Sequence, residues 1–129
     1  MGILAVLLAA AAGFATGAVW YMVLGKRWMA AVGKTEEEIK ANQNPLPFII
    51  GFLGSLVTAG MMRHVFVMAG IDTFGGALVS GLGIGVFMTA PWILTNYAFA
   101  GRPRPLWWID AGHAVLAMTA IGTVLGAFA

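Results

Sequence analysis

Four long apolar stretches separated by short polar segments set the pattern of this chain. They cover residues 2–24, 45–69, 73–99 and 106–128, and none contains more than two ionisable side chains. A helix needs about 20 apolar residues to cross a hydrocarbon core of about 30 Å, whereas a barrel strand needs about 9–11 alternating ones. The pattern predicts an all-α integral membrane protein, a four-helix transmembrane bundle that forms one domain over residues 1–129.

The connections between these stretches differ in length. The first, a surface loop over residues 25–44, is the only long one, and Thr35 followed by Glu38 has the spacing of a capping box. This spacing predicts a short interfacial helix, with the Glu38 carboxylate reaching back to the Thr35 amide. The second connection covers only residues 70–72, which predicts that spans two and three pack as a tight antiparallel hairpin. No charge precedes Lys26, so the first stretch is interpreted as a retained helix rather than a signal peptide.

Basic residues predict the orientation. Six of the seven Lys and Arg residues lie in the first and third connections, and short loops rich in these residues stay on the cytoplasmic side. We therefore expect a multi-pass protein of the cytoplasmic (bacterial inner) membrane with both termini on the non-cytoplasmic side. The net charge of +2 then reflects topology and requires no nucleic acid. Aromatic residues favour the same interface, and those near the cytoplasmic helix ends are Trp20, Tyr21, Trp28, Tyr97, Trp107 and Trp108.

Composition narrows the function classes. With 60% hydrophobic and 9% charged residues, the chain is unlike a soluble domain, in which roughly 25% of residues are charged, or a disordered one. It has no cysteine and only two serines, and no pair of carboxylates lies within the spans. We therefore expect no enzymatic activity. Thioethers are ligands for copper, so the eight methionines are candidate metal ligands. Methionines in apolar helices usually fill packing gaps, however, and we expect no metal or cofactor.

Glycines recur at the spacing that lets membrane helices approach closely. The pairs Gly13 and Gly17, Gly81 and Gly85, and Gly122 and Gly126 each form a GxxxG motif. They are interpreted either as packing the four helices of one chain or as including a face for self-association, and we expect a homo-oligomer. Pro91 lies inside the third span, where it removes a backbone hydrogen bond and is expected to kink the helix.

Ionisable residues within a span are functional hypotheses. Asp110 and His113 are three residues apart and so share a helix face. Tyr21 and Asn96 are expected at a similar depth, and the four side chains predict a polar cluster that binds a polar solute or cation or relays a proton. The alternative is structural: the helix dipole favours Asp110 near a helix start, and an arginine pairs with it. The candidates for that arginine are Arg27, Arg102 and Arg104.

Arg63 and His64 form a second polar site at the other end of the second span. Arg63 is expected either to reach the outer interface and pair with Asp72, or to face an entrance for an anion. At about 1.5 Å per residue, His64 and His113 differ in depth by roughly 18 Å. They therefore cannot be two axial ligands of one haem.

Three short motifs carry a resemblance to a family. They are Trp20-Tyr21 with Leu24-Gly25-Lys26 and Trp28-Met29, Gly33 with Thr35-Glu36-Glu37-Glu38-Ile39, and Leu106-Trp107-Trp108-Ile109-Asp110-Ala111-Gly112-His113. With these motifs, the chain resembles a family of small bacterial four-helix membrane proteins, domain of unknown function 1761. The resemblance covers essentially the whole chain. It implies the same architecture and draws attention to Trp20, Tyr21, Asp110 and His113, and it implies no activity.

Two functions are open at this point. The first is a homo-oligomer in the lipid bilayer that binds or permeates a small polar solute or ion at the Asp110 cluster. In that case replacing Asp110 or His113 by alanine should abolish binding or transport and leave the oligomer folded. The second is a non-catalytic accessory subunit that packs against a larger membrane complex.

Overall fold

The computed structural model describes residues 2–129, which form seven α-helices and one π-helical segment and contain no strand. Four helical spans are long and apolar enough to cross a membrane, as the sequence predicts. Their bounds are Gly2–Val23 (α1), Leu46–Ala69 (α4), Phe74–Ala100 and Arg104–Ala127 (α7). The third span consists of α5 (Phe74–Ile84), the π-helical segment Gly85–Thr89 and α6 (Ala90–Ala100).

The last span is the centre of the bundle. Helix α7 packs along α1 on one side and along α5 and α6 on the other, and α4 packs mainly on α1. The main helix contacts therefore follow the order α4, α1, α7, α5–α6, with a smaller contact between α4 and α7. In the most apolar window of each span, 44% of the α7 residues but only 11% of the α4 residues are buried.

The second connection does not make the predicted hairpin. Gly70 ends α4 in the left-handed conformation (φ 72°), and α5 begins at Phe74, but α4 and α5 do not pack along each other. The hairpin prediction was wrong because connection length fixes only where two helices start. Their packing partners are set by which surfaces fit, and α5 fits α7.

All six predicted packing glycines face helices of the same chain. A Cβ added to Gly81 would lie 2.6 Å from the Met118 carbonyl oxygen, and one added to Gly122 would lie 2.7 Å from that of Ala77. Real Cβ atoms do not come this close to backbone, so α5 and α7 touch main chain to main chain. A Cβ added to any of the other four would also lie less than 3 Å from a neighbouring helix: from backbone at Gly85, and from side chains at Gly13, Gly17 and Gly126. The structure thus uses all six inside one chain and leaves none of them for self-association.

Small residues also build the core at one end of the bundle, where α1 begins and α7 ends; we call this the distal end. Ala9 and Ala59 are completely buried there between α1 and α4, beside Phe66 and Ile121. The Ser55 hydroxyl donates a 2.7 Å hydrogen bond to the Ala10 carbonyl oxygen. Buried alanines and an interhelical hydrogen bond therefore hold α4 to α1, as expected where lipid supplies no hydrophobic drive between helices.

The first connection contains two helices where the sequence predicts one. Helix α2 (Gly25–Val32) follows α1 after a break at Leu24, and α3 (Glu36–Ala41) begins at the predicted cap. Thr35 Oγ1 accepts a 3.2 Å hydrogen bond from the Glu38 amide. The Glu38 carboxylate, however, accepts from the Thr35 hydroxyl and not from its amide, so only half of the capping box forms.

The third span accommodates Pro91 through a change of helix type. The π-helical segment Gly85–Thr89 ends two residues before Pro91, and the Ala90 amide donates to the Gly85 carbonyl oxygen, five residues back. Thr95 Oγ1 donates to the carbonyl oxygen of Pro91 itself, at 2.8 Å. A π-type turn places one extra residue in the helix, and here it brings Gly85 against Val115 of α7.

Candidate site around Asp110

Asp110 is held between two tyrosines from different helices. It lies in the second turn of α7, where Tyr21 of α1 donates its hydroxyl proton to Oδ1 and Tyr97 of α6 donates to Oδ2. The two tyrosines occupy opposite oxygens of one half-buried carboxylate. Asp110 therefore ties together α1, α6 and α7 at the end of the bundle where α1 ends and α7 begins, which we call the proximal end.

His113 lies one turn further along α7, above the same tyrosine. Its ring centroid is 5.1 Å from that of Tyr21, with the ring planes at 59°. On α1 it faces Gly17, where an added Cβ would lie 2.6 Å from His113 Nε2. Gly17 therefore makes the space that the imidazole occupies between α1 and α7.

Trp20 fixes the other side of the same contact. Its indole Nε1–H donates a 2.7 Å hydrogen bond to the Ile109 carbonyl oxygen. The indole ring lies over Gly112, where an added Cβ would be 2.8 Å from Cζ2. Each of the two helices thus has a glycine that packs against a ring of the other. Gly17 of α1 packs against His113, and Gly112 of α7 packs against Trp20. We call the set Trp20, Tyr21, Tyr97, Asp110 and His113 the Asp110 cluster.

Asn96 does not belong to this cluster. The sequence places it at the right depth, but it lies on the exposed side of α6, and its side chain makes no hydrogen bond within residues 2–129. Its neighbour Tyr97 takes that position, because consecutive residues of a helix point about 100° apart. Depth can be counted from the sequence, whereas the face of α6 that meets α7 depends on the packing of the two helices.

Comparison with known protein families agrees with the motifs around this site. The sequence model of a family described as "Protein of unknown function (DUF1761)" matches residues 4–126. The chain belongs to this family. The matched region contains every residue of the Asp110 cluster. No match was found among curated proteins or among solved structures.

In this DUF1761 protein, no basic side chain of residues 2–129 forms an ion pair with Asp110. The sequence allows pairing with Arg27, Arg102 or Arg104, but the only ion pair within residues 2–129 joins Lys40 to Glu36 on α3. The expected arginine pairing is therefore wrong. The donors to Asp110 are instead two tyrosine hydroxyls, one from α1 and one from α6.

Arg63 and His64 lie apart from the Asp110 cluster, near the distal end of α4. Both side chains are exposed. The Arg63 guanidinium covers the start of α1, since a Cβ added to Gly2 would lie 2.8 Å from Arg63 Cζ. It also lines a cavity of about 100 Å³ with Phe128 of the chain end. Arg63 makes no ion pair with Asp72 within the described chain, so that prediction was wrong.

Proposed function

We propose that this protein binds and permeates a small polar solute or ion, favouring cations or protons, at the Asp110 cluster, and that it does so as a homo-oligomer. The observation that carries the proposal is the Asp110 carboxylate, which lies within a span and is held by two tyrosine hydroxyls. No cationic side chain pairs with it within residues 2–129.

The carboxylate supports a cationic ligand because its acceptor capacity is only partly used. An ionised carboxylate offers about four acceptor positions, and the two tyrosines fill two. Charged groups within spans are costly and mark ion or proton pathways. His113 beside Tyr21 supplies a second titratable group. Asp110 and His113 thus offer a cation or a proton two binding positions, about one helical turn apart.

The uncovered face of α4 supports the oligomeric part of the proposal. Only 11% of the residues in the most apolar window of α4 are buried. Copies of the chain arranged about an axis would cover this face and enclose a path beside the Asp110 cluster. We further propose that the protein lies in the cytoplasmic membrane with both termini outside, on the strength of the six basic residues in the first and third connections. We assign it no enzymatic role.

Asp110→Asn is expected to reduce cation or proton flux to that of empty vesicles. The amide keeps the shape of the side chain but carries no charge. Flux is measured in proteoliposomes under gradients of sodium, potassium or guanidinium chloride. Lumenal pH is reported by pyranine, and membrane potential by a voltage-sensitive dye. Flux through wild type should exceed that of empty vesicles, because an ionisable residue within a span marks an ion or proton pathway.

Asn96→Ala is the matched control, since Asn96 is polar and lies at the same depth but outside the cluster. It should keep wild-type flux. Tyr97→Phe removes one hydroxyl donor but leaves the carboxylate, and it should reduce flux. This variant tests the Asp110 cluster even if Asp110→Asn does not fold. If wild type shows no flux under any of these gradients, and none of the three cations raises its unfolding temperature, the proposal is overturned.

An accessory-subunit role is the second candidate, and the uncovered face of α4 favours it. Its exposed apolar side chains include Ile50, Val57, Met61 and Met68. Native mass spectrometry after gentle purification from the source membranes separates the two functions. A closed assembly of this chain alone is expected. A fixed-ratio assembly with other polypeptides would overturn the homo-oligomer and make this chain a structural subunit.

A further inference from the structure

An open apolar groove runs along the α1–α7 seam in the proximal half of the bundle. Its volume is about 420 Å³, and it is lined by Ala15, Thr16, Val19, Trp20, Val23 and Leu116. From residue 15 to residue 23 an α-helix rises about 12 Å, which is a substantial part of the about 30 Å hydrocarbon core. We call this feature the α1–α7 groove.

The wall of the groove is fixed in place rather than adaptable. Trp20 is held by its hydrogen bond to Ile109 and by its seat over Gly112. Val19, Val23 and Leu116 remain 61%, 76% and 42% exposed, so no side chain of the described chain fills the space. The α1–α7 groove is therefore a preformed apolar depression that is open on the outer surface of the two helices.

Two unpaired cations stand at the proximal mouth of this groove. Lys26 and Arg27 follow Val23 by three and four residues. Two backbone hydrogen bonds bridge the break at Leu24, one from the Leu24 amide to the Trp20 carbonyl oxygen and one from the Trp28 amide to that of Leu24. They keep the start of α2, with Lys26 and Arg27, next to the end of α1. Both cations are exposed, and neither makes an ion pair within residues 2–129.

We propose that the α1–α7 groove binds one anionic phospholipid, with an acyl chain in the groove and the phosphate on Lys26 and Arg27. The charge at the mouth selects this occupant, because a phosphate complements two cations that form no ion pair within residues 2–129. Helix α2 itself carries no acidic residue, and the glutamates of this connection lie on α3. The inference is independent of any transport at Asp110.

Native mass spectrometry tests the site with defined lipids. The full chain is reconstituted in nanodiscs of equal phosphatidylglycerol and phosphatidylcholine and then released into mild detergent. Wild type should retain one phosphatidylglycerol per chain, preferred over phosphatidylcholine by at least about tenfold. The double variant K26Q/R27Q should lose this preference, whereas Lys34→Gln, which removes an exposed cation of the same connection, should keep it.

A second pair of variants tests the groove itself. Val19→Trp fills the groove and should abolish retention of either lipid. Val79→Trp, at a valine of α5 with similar exposure (65%), should leave retention unchanged. Equal retention of both lipids by wild type, or full retention by Val19→Trp, would overturn the proposal. So would a dimer that Val19→Trp abolishes, because it would identify a second copy of the chain as the occupant.

Discussion

Gly81→Ala is expected to lower the free energy of unfolding by about 1–3 kcal/mol, the range for overpacking a close contact. The added methyl would lie 2.6 Å from the Met118 carbonyl oxygen and 3.1 Å from the Gly122 Cα. Both are main-chain atoms, so no side-chain rotation relieves the clash. Helices α5 and α7 must separate, and their contact is the most extensive helix pair in the bundle.

Gly83 offers a matched control two residues away on the same helix. A Cβ added there meets nothing within 4 Å, and alanine is favoured over glycine in a helix interior by up to about 1 kcal/mol. Gly83→Ala should therefore be neutral or stabilising. Gly85→Ala should resemble Gly81→Ala, because its Cβ would lie 2.7 Å from the Val115 Cα.

The measurement is reversible unfolding of the three variants in bicelles, followed by far-ultraviolet circular dichroism as dodecyl sulfate is added. The order of the three unfolding free energies shows whether a glycine is needed for close helix packing or is only a common residue of apolar helices. If Gly81→Ala and Gly83→Ala are equally stable, the α5–α7 backbone contact is not what holds the third span.

Gly17→Ala is expected to displace His113 and to destabilise the bundle by about 1–3 kcal/mol. The methyl would lie 2.6 Å from His113 Nε2 and 3.2 Å from its Cδ2. The imidazole cannot move aside freely, since Tyr21 lies against it. We expect the substitution to disturb the Asp110 cluster as well, because Tyr21 also donates to Asp110.

A double-mutant cycle identifies the cause. In a His113→Ala background the ring is gone, so Gly17→Ala should cost less than about 0.5 kcal/mol, and the two substitutions should be strongly non-additive. Gly54→Ala, at an exposed position of α4 with nothing within 4 Å of an added Cβ, controls for the helix preference of alanine. An undiminished cost in the His113→Ala background would show that the imidazole is not the group that Gly17 accommodates.

Some of the site was accessible from the sequence. Asp110 and His113 are three residues apart, so their shared face follows from helix geometry alone. Tyr21 was placed with them by counting residues from the interface. Tyr97 was not, although it follows Asn96 directly and precedes Asp110 by 13 residues. Nothing in the sequence says which of two neighbours on α6 faces α7, and the choice depends on the rotation of α6 after the π-helical segment.

The charges around Asp110 show a similar limit. Arg27, Arg102 and Arg104 lie in the first and third connections, which meet the helix ends on the same side as Asp110. The sequence therefore allows any of them to pair with Asp110. A half-buried acceptor such as the Asp110 carboxylate takes the donor that the packed helices place next to it. Here each carboxylate oxygen of Asp110 accepts from a tyrosine hydroxyl, that of Tyr21 on α1 or that of Tyr97 on α6.

The sequence alone determined the four spans, because length and hydropathy are properties of each segment by itself. It also determined the Thr35 cap, and it identified glycines that must pack against something. Only the tertiary structure decided that α5 pairs with α7 rather than with α4, that all six packing glycines are used within one chain, and that Tyr97 rather than Asn96 meets Asp110. Each of these depends on how two helical surfaces fit at close range, and that fit is a joint property of two distant segments.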